Sequence, residues 1–292
     1  MSKPLPVVVA DLPPEQRLHA MRRWELVRAS LTGGFESAFV PNGLFLLVAV
    51  QYFEAGSGLK ALIAAGHAIG LLLTLGLLTV VGRRGWRTTR VIAICYFLAS
   101  LALACGALLP SLPSFLVASL VGTPLVVMCV PLITATWRQN CPDELRGRYF
   151  SQVVRAGRGA AIIAGVAISW WLGSDAGRYP VPLLVLAVLV GAAGFAVWRV
   201  PSQAVAQQGR NPFAALRWLW HDKIFGYLSL VWMFMGLGML TTLPLRVEFA
   251  ASAETGLGLS AGLALAINVV VPLVVQLLSM PWWGRLFDRA NF

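Results

Sequence analysis

The sequence predicts an all-α protein, a polytopic bundle of membrane-spanning helices. Of its 292 residues, 58% are hydrophobic and only 12% are charged, which is too little charge to cover a water-soluble globule. It contains eight long apolar runs, most of them near the ~20 residues that a helix needs to cross a ~30 Å hydrocarbon layer. The runs cover residues 30–53, 60–81, 91–109, 113–136, 159–173, 180–198, 224–245 and 257–280.

The basic residues support the same threading. If the runs alternate in direction, 20 of the 23 Lys and Arg residues fall on one side of the membrane, and only Lys60, Arg178 and Arg246 fall on the other. Such a bias marks the cytoplasmic side. We therefore expect a multi-pass protein of the cytoplasmic (plasma or inner) membrane with both termini in the cytoplasm. The net charge of +11 follows from this topology, so we expect contact with the lipid bilayer and no nucleic acid.

The segments follow in order along the chain. Residues 1–28 form a cytoplasmic arm, in which 15–28 are predicted to lie along the membrane as an amphipathic helix. Residues 29–200 form a six-helix half, 201–222 a cytoplasmic linker, and 223–292 the first two helices of a second half. The fifth run is short, and we expect Arg155 and Arg158 to extend it by reaching to the interface. Small residues recur every fourth position, as at Gly66 and Gly70, and predict close helix packing.

Two loops carry related motifs. Residues 76–84 read Gly-Leu-Leu-Thr-Val-Val-Gly-Arg-Arg, and residues 284–292 read Gly-Arg-Leu-Phe-Asp-Arg-Ala-Asn-Phe. Both resemble the loop signature of the major facilitator superfamily, which runs Gly, any residue, Leu, any residue, Asp, Arg, any residue, Gly, then basic residues. The copies lie 208 residues apart, each after the second helix of a predicted half. Residues 142–148, Pro-Asp-Glu-Leu-Arg-Gly-Arg, resemble the family's loop between helices four and five.

The resemblance implies two six-helix halves with a substrate held between them. Because the chain shows eight runs, we expect it to be a twelve-helix transporter truncated after the eighth helix. The motif implies a cytoplasmic gate, for which an Asp–Arg clasp is suited. The first copy departs from the pattern, since Val80 stands where the family has Asp, and in the second copy Asn291 replaces Gly. The predicted gating residues are Gly76, Gly82, Arg83, Arg84, Gly284, Asp288 and Arg289.

Polar groups inside the runs are the candidates for substrate or ion contact, because burying them in hydrocarbon is costly. Glu36 is the only acidic residue well inside a run. It suits a coupling proton or a polar substrate, or else a structural hydrogen bond to another helix. Asn42 follows Pro41, which can free backbone carbonyls. His67, Asn268 and Gln276 are weaker candidates that also suit hydrogen bonds between helices.

We therefore predict a secondary transporter that moves a small molecule by alternating access, possessing no catalytic residues. No phosphate-binding loop is visible, so neither ATP nor another cofactor is expected. The four cysteines have no CxxC spacing and the three histidines are scattered, so no metal site is expected. Two alternatives stay open: a non-transporting scaffold, such as a natural eight-helix remnant, and a membrane-embedded enzyme. Substrate, direction of transport, coupling ion and oligomeric state are not predictable from these residues.

Overall fold

A computed structural model describes residues 13–39, 43–203, 217–254 and 256–290, and among these residues it contains helices and no strands. We number the long helices α1 to α9. They are α1 Pro14–Phe39, α2 Leu44–Gln51, α3 Ser57–Arg84, α4 Thr88–Leu108, α5 Leu112–Asn140, α6 Asp143–Leu172, α7 Pro180–Trp198, α8 Lys223–Ala251 and α9, residues 261–290. Helix α5 contains a π turn at Ala118–Gly122, and α9 contains another at Ala266–Val270. The protein is therefore all-helical over the part described.

Seven of these helices are long and apolar enough to cross a membrane. They are Ser57–Arg84, Thr88–Leu108, Leu112–Asn140, Leu145–Leu172, Ala176–Trp198, Lys223–Ala251 and Ala261–Met280. Each matches one of the predicted apolar runs from the second to the eighth. The chain is thus a multi-pass membrane protein, whereas the count of eight spans stays a prediction.

The first predicted run, 30–53, is divided between two helices. Helix α1 ends at Phe39 and α2 begins at Leu44, and Pro41 lies between them, outside the described residues. Proline lacks an N–H and disfavours a helical residue before it, which accounts for the end of α1. Residues 15–28, which were predicted to form an amphipathic helix along the membrane, are helical. They form the first turns of α1, which packs against α6 and α7.

The helix that contains the fifth run is longer than the run itself. Helix α6 spans 30 residues, so it has no need of extension by arginines at its end. Arg158 lies about 21 Å along the helix from Leu172, at ~1.5 Å per residue. The side chain of Arg158 pairs with Glu36 of α1, and its reach to the interface stays a prediction.

An aromatic cluster forms part of the core of α1–α7. Phe115 of α5 packs edge-on against Phe45 of α2, with ring centroids 5.8 Å apart, and against Tyr179, at 5.4 Å. Phe35 of α1 adds an edge-on contact with Phe45, at 6.4 Å, and Phe53 lies 5.1 Å from Phe115. Edge-to-face packing of this kind stabilises by roughly 0.5–1.5 kcal/mol per pair beyond the buried area. The cluster joins α1, α2, α5 and the start of α7.

Glycine allows the closest helix approaches. A Cβ on Gly70 of α3 would lie 2.8 Å from the Cβ of Val127 on α5, which confirms close packing at the predicted small-residue stripe. A Cβ on Gly262 of α9 would lie 2.2 Å from the carbonyl oxygen of Ser169 on α6. Backbone contact of this kind excludes any larger side chain.

The helices form two groups, α1–α7 and α8–α9, that meet toward one end of the bundle. We call this the Lys60 end, and the opposite end the Arg84 end. In α8 the buried residues are Val247, Ala250 and Ala251, at its Lys60 end. Along residues 223–246 every described α8 side chain is exposed or half-buried, and between 274 and 280 of α9 none is buried. The described contacts between the groups thus run from the Lys60 end to about mid-depth.

Candidate functional site

Glu36 and Arg158 form an ion pair between α1 and α6. The guanidinium Nη1 of Arg158 donates to Glu36 Oε2 at 2.9 Å, with 25% and 35% of the two side chains exposed. Ionisable groups within a membrane-spanning bundle are costly, so such a pair is a candidate functional site. The sequence left two interpretations of Glu36 open, and the structure contains the hydrogen bond to another helix. Because both side chains remain partly accessible, a solute or a proton can still reach them.

Two glycines allow the helices that carry this ion pair to approach each other closely. A Cβ on Gly33 would lie 2.3 Å from the carbonyl oxygen of Gly157, and one on Gly157 would lie 3.3 Å from that of Ala29. The backbones of α1 and α6 therefore touch directly beside Arg158, about one turn from Glu36. Such close approach holds the carboxylate and the guanidinium within bonding distance.

The other predicted polar residues are dispersed. His67 is exposed on α3, and Gln276 is exposed on α9. Asn268 is buried within the π turn of α9, where its side-chain amide donates to the carbonyl of Ala264 at 2.9 Å. Asn42 lies outside the described residues. Of this set, Asn268 has the surroundings most typical of a functional position, because π turns are frequent at such sites.

The predicted gating motif is only partly described. Gly76 and Gly82 have open space where a Cβ would lie, so no described neighbour requires glycine at either position. Arg83 and Arg84 are exposed at the end of α3, and the Arg84 guanidinium lies 5.0 Å from the ring centroid of Trp86. Residues 284–290 belong to α9, but the side chains of Gly284, Asp288 and Arg289 lie outside the description. The gating role of both copies stays a prediction.

Sequence reasoning missed a polar connection between the two groups at the Lys60 end. Lys60 of α3 pairs with Glu248 of α8, with Nζ 2.5 Å from Oε1. The side-chain amide of Gln51 donates to the backbone oxygens of Ala251 and Leu259, each at 3.0 Å. The one available signal was that Lys60 is a rare basic residue on its side of the membrane.

A cavity of about 910 Å³ adjoins this connection. Its walls come from the ends of α2, α3, α8 and α9 and from the segment between α6 and α7. It contains Lys60 and four carboxylates, those of Glu54, Asp175, Glu248 and Glu254. The volume lies within the range of small-molecule sites, and the cavity is shared by both groups.

A second missed cluster is a buried ion pair near the start of the bundle. Both carboxylate oxygens of Glu25 accept from Arg28 Nε, at 3.1 and 3.0 Å, and Glu25 Oε2 also accepts from the indole of Trp137 at 3.3 Å. Only 2% of Glu25 is exposed. Arg28 also bonds Thr32 and interacts with Tyr96 of α4. The cluster ties α1 to α4 and α5. It escaped notice because Glu25 lies outside the apolar runs.

Comparison with solved structures defines the class of fold. The nucleoside transporter NupG matches 94% of this chain and 68% of its own length, with a TM-score of 0.63 at 15% identity. A point mutant of that transporter matches with a TM-score of 0.64 at 16% identity. The crystal structure of a D-xylose–proton symporter matches 93% of this chain and 69% of its own, with a TM-score of 0.54 at 15% identity.

These likenesses show that the chain shares the fold of these neighbours, which are transporters. At such low identity the likeness shows the fold alone. No protein-family model matches the sequence, and no curated protein sequence matches it.

Proposed function

We propose that the protein is a secondary transporter that moves a small polar molecule across the membrane by alternating access between its two helix groups. The observation that carries the proposal is the one-sided contact between the groups, within a fold shared with a nucleoside transporter and a sugar–proton symporter. Alternating access needs two states that are closed at opposite ends. The Lys60–Glu248 pair and the hydrogen bonds from Gln51 to Ala251 and Leu259 hold one end closed. These contacts must break in the other state.

Glu36 and Arg158 are the proposed coupling pair. A proton that binds Glu36 Oε2 neutralises the carboxylate and releases the hydrogen bond from Arg158 Nη1. The freed guanidinium then offers its N–H groups to an acceptor on the solute. Loss of the proton restores the pair and removes the solute contact. In each cycle one proton binds to Glu36 and leaves it again, and Arg158 changes its partner from Glu36 to the solute and back.

The proposal also includes the orientation of the chain in the membrane and the number of its spans. We place the Arg84 end in the cytoplasm, together with both termini, because the basic residues lie there. Counting the divided first run gives eight spans. Six of them form one half at 29–200, and two belong to a second half. A linker at 201–222 joins the two halves. The exposure of residues 223–246 of α8 supports further helices packing there in the whole protein.

The gene tests this last point. A reading frame that encodes four more apolar runs after Phe292 would support these further helices. An immediate stop codon would instead favour the eight-helix scaffold, which would transport nothing alone.

The test of function uses the whole gene product in liposomes that contain a pH-sensitive dye. A panel of nucleosides and pentoses is added outside, and proton movement and radiolabelled solute uptake are measured together. We expect a member of the panel to enter with protons, and Glu36→Gln to abolish the proton movement. The matched control is Glu15→Gln, since Glu15 is an exposed acid on the same helix. Unchanged proton movement in Glu36→Gln would remove Glu36 from coupling, and no uptake of any panel member would reject this substrate class.

A further inference from the structure

Exposed arginines lie on aromatic rings at the Arg84 end of the bundle. They come from three neighbouring segments, namely α1, the start of α4 and the residue after α7. We call this region the arginine–aromatic surface, and its members are Arg23, Trp24, Arg90, Phe195, Trp198 and Arg199. Helix α7 contacts both α1 and α4, so the members form one continuous surface.

The guanidinium groups are held against the rings. That of Arg199 lies 4.7 Å from the ring centroid of Phe195 and 5.8 Å from that of Trp24. The Arg23 guanidinium lies 5.5 Å from the same Trp24 ring. A guanidinium stacked on a ring loses little hydrogen-bonding capacity, because its N–H groups point outward in its own plane. Two positive groups thus share one indole and keep donors free for an acceptor.

Among the described side chains, no carboxylate balances this charge. Helices α4 and α7 contain neither Asp nor Glu, and Glu25, which follows Trp24, is buried and bonded to Arg28 and Trp137. Within the described part of the chain, none of the three arginines forms a salt bridge, and each is exposed. Gathered positive charges without a counter-charge repel one another, so an anion that binds between them is favoured.

The surface sits where a lipid headgroup would lie. Phe195 and Trp198 are each 50% exposed, and amphipathic rings prefer the membrane interface. From them an exposed apolar face continues along α4 into the apolar part of the bundle. On this face Phe97 is 38% exposed, Leu98 is 49% exposed and Leu101 is 67% exposed. The acyl chains of a lipid whose phosphate binds at the arginines would lie along this face.

We propose that the arginine–aromatic surface binds the phosphate headgroup of an anionic phospholipid, with Arg90 and Arg199 as its donors. The planar fork of arginine matches two phosphate oxygens at once. The aromatic rings hold the forks at interface depth, and the exposed apolar face of α4 contacts the acyl chains. Anionic lipid fits better than zwitterionic lipid, because a choline group would add a positive charge to a site that already holds three.

The experiment is native mass spectrometry of the full chain in detergent, titrated with phosphatidylglycerol, phosphatidylcholine or inorganic phosphate. We expect phosphatidylglycerol to form a one-to-one complex that the other two do not. Arg199→Gln and Arg90→Gln should each weaken it about fivefold, the effect of one arginine near an anionic headgroup. Arg155→Gln is the matched control, because Arg155 is an exposed arginine at the same end without an aromatic partner, and it should bind as the wild type does.

Three results would overturn the proposal: equal binding of phosphatidylcholine, complex formation with inorganic phosphate in place of lipid, or equal weakening by all three substitutions. Should a glutamine variant aggregate, Arg199→Lys keeps the charge and loses the fork, and it should weaken binding less than glutamine does. The binding is measured without transport, so its outcome is independent of the proposed function.

Discussion

Replacing Lys60 with methionine should open the Lys60 end of the bundle. The side chain of Lys60 is 17% exposed and that of Glu248 is 35% exposed, and their charged atoms are in direct contact. At their 2.5 Å separation, two unit charges attract by about 7 kcal/mol at an effective dielectric constant near 20. Desolvation and the ordering of two long side chains offset most of this, and fully exposed pairs retain about 1 kcal/mol or less. For this half-buried pair we expect about 1–2 kcal/mol, which changes the ratio of closed to open states roughly 5–30-fold.

Labelling of a single cysteine measures this ratio. Ala261 is fully buried where α9 meets α6, and it lines the cavity beside the pair. Ala261→Cys is introduced after the four native cysteines are replaced, and its reaction with a membrane-impermeant maleimide is timed in liposomes. We expect slow labelling in the parent and 5–30-fold faster labelling with Lys60→Met, as the energy above requires. The charge-reversed pair, Lys60→Glu with Glu248→Lys, should restore slow labelling.

A second ion pair at the same end provides the control. Arg178 and Asp175 lie 3.7 Å apart within one segment, with 61% and 59% of their side chains exposed. Because this pair does not join the two groups, Arg178→Gln should leave the labelling rate unchanged. Equal acceleration by Arg178→Gln and Lys60→Met, or no rescue by the charge reversal, would refute the reasoning that the Lys60–Glu248 contact holds the groups closed.

Three stability predictions follow, each measured by thermal unfolding in detergent. Gly33→Ala should cost about 1–3 kcal/mol by overpacking against α6, whereas Gly76→Ala, which meets open space, should be neutral or stabilise by up to ~1 kcal/mol; equal effects would contradict the backbone contact. Glu25→Gln should cost about 3–5 kcal/mol because it leaves a buried cation unpaired, and Trp137→Phe, which removes one hydrogen bond, only about 1 kcal/mol. Asn268→Ala should cost about 1 kcal/mol or less, since the amide bonds only its own helix; a larger loss would mean an additional partner across the bundle.

Composition and hydropathy determined the class of protein and seven of its spans. An apolar run of sufficient length has one stable arrangement in lipid, a helix whose backbone groups bond each other. For that reason the run from 60 to 81 predicts Ser57–Arg84 almost without regard to its neighbours. Helix boundaries within polar sequence are harder to predict from hydropathy. Helix α6 begins at Asp143, although its apolar run begins only at 159. Packing against α1, rather than hydropathy, supports those first turns.

The pairing of charges was decided only by tertiary structure. Glu36 was evident as an acid inside an apolar run, but its partner Arg158 read as an interfacial residue, because periodicity along one helix carries no information about which helix lies beside it. Lys60 and Glu248 are 188 residues apart, and each alone resembles a solvated charge at a helix end. Close approach at Gly33 and Gly262 sets which helices are neighbours. The sequence by itself thus determined that the chain crosses the membrane, since transfer of apolar surface is a property of each segment. The tertiary structure decided which charges meet, since ion pairing depends on distances between segments that no single segment encodes.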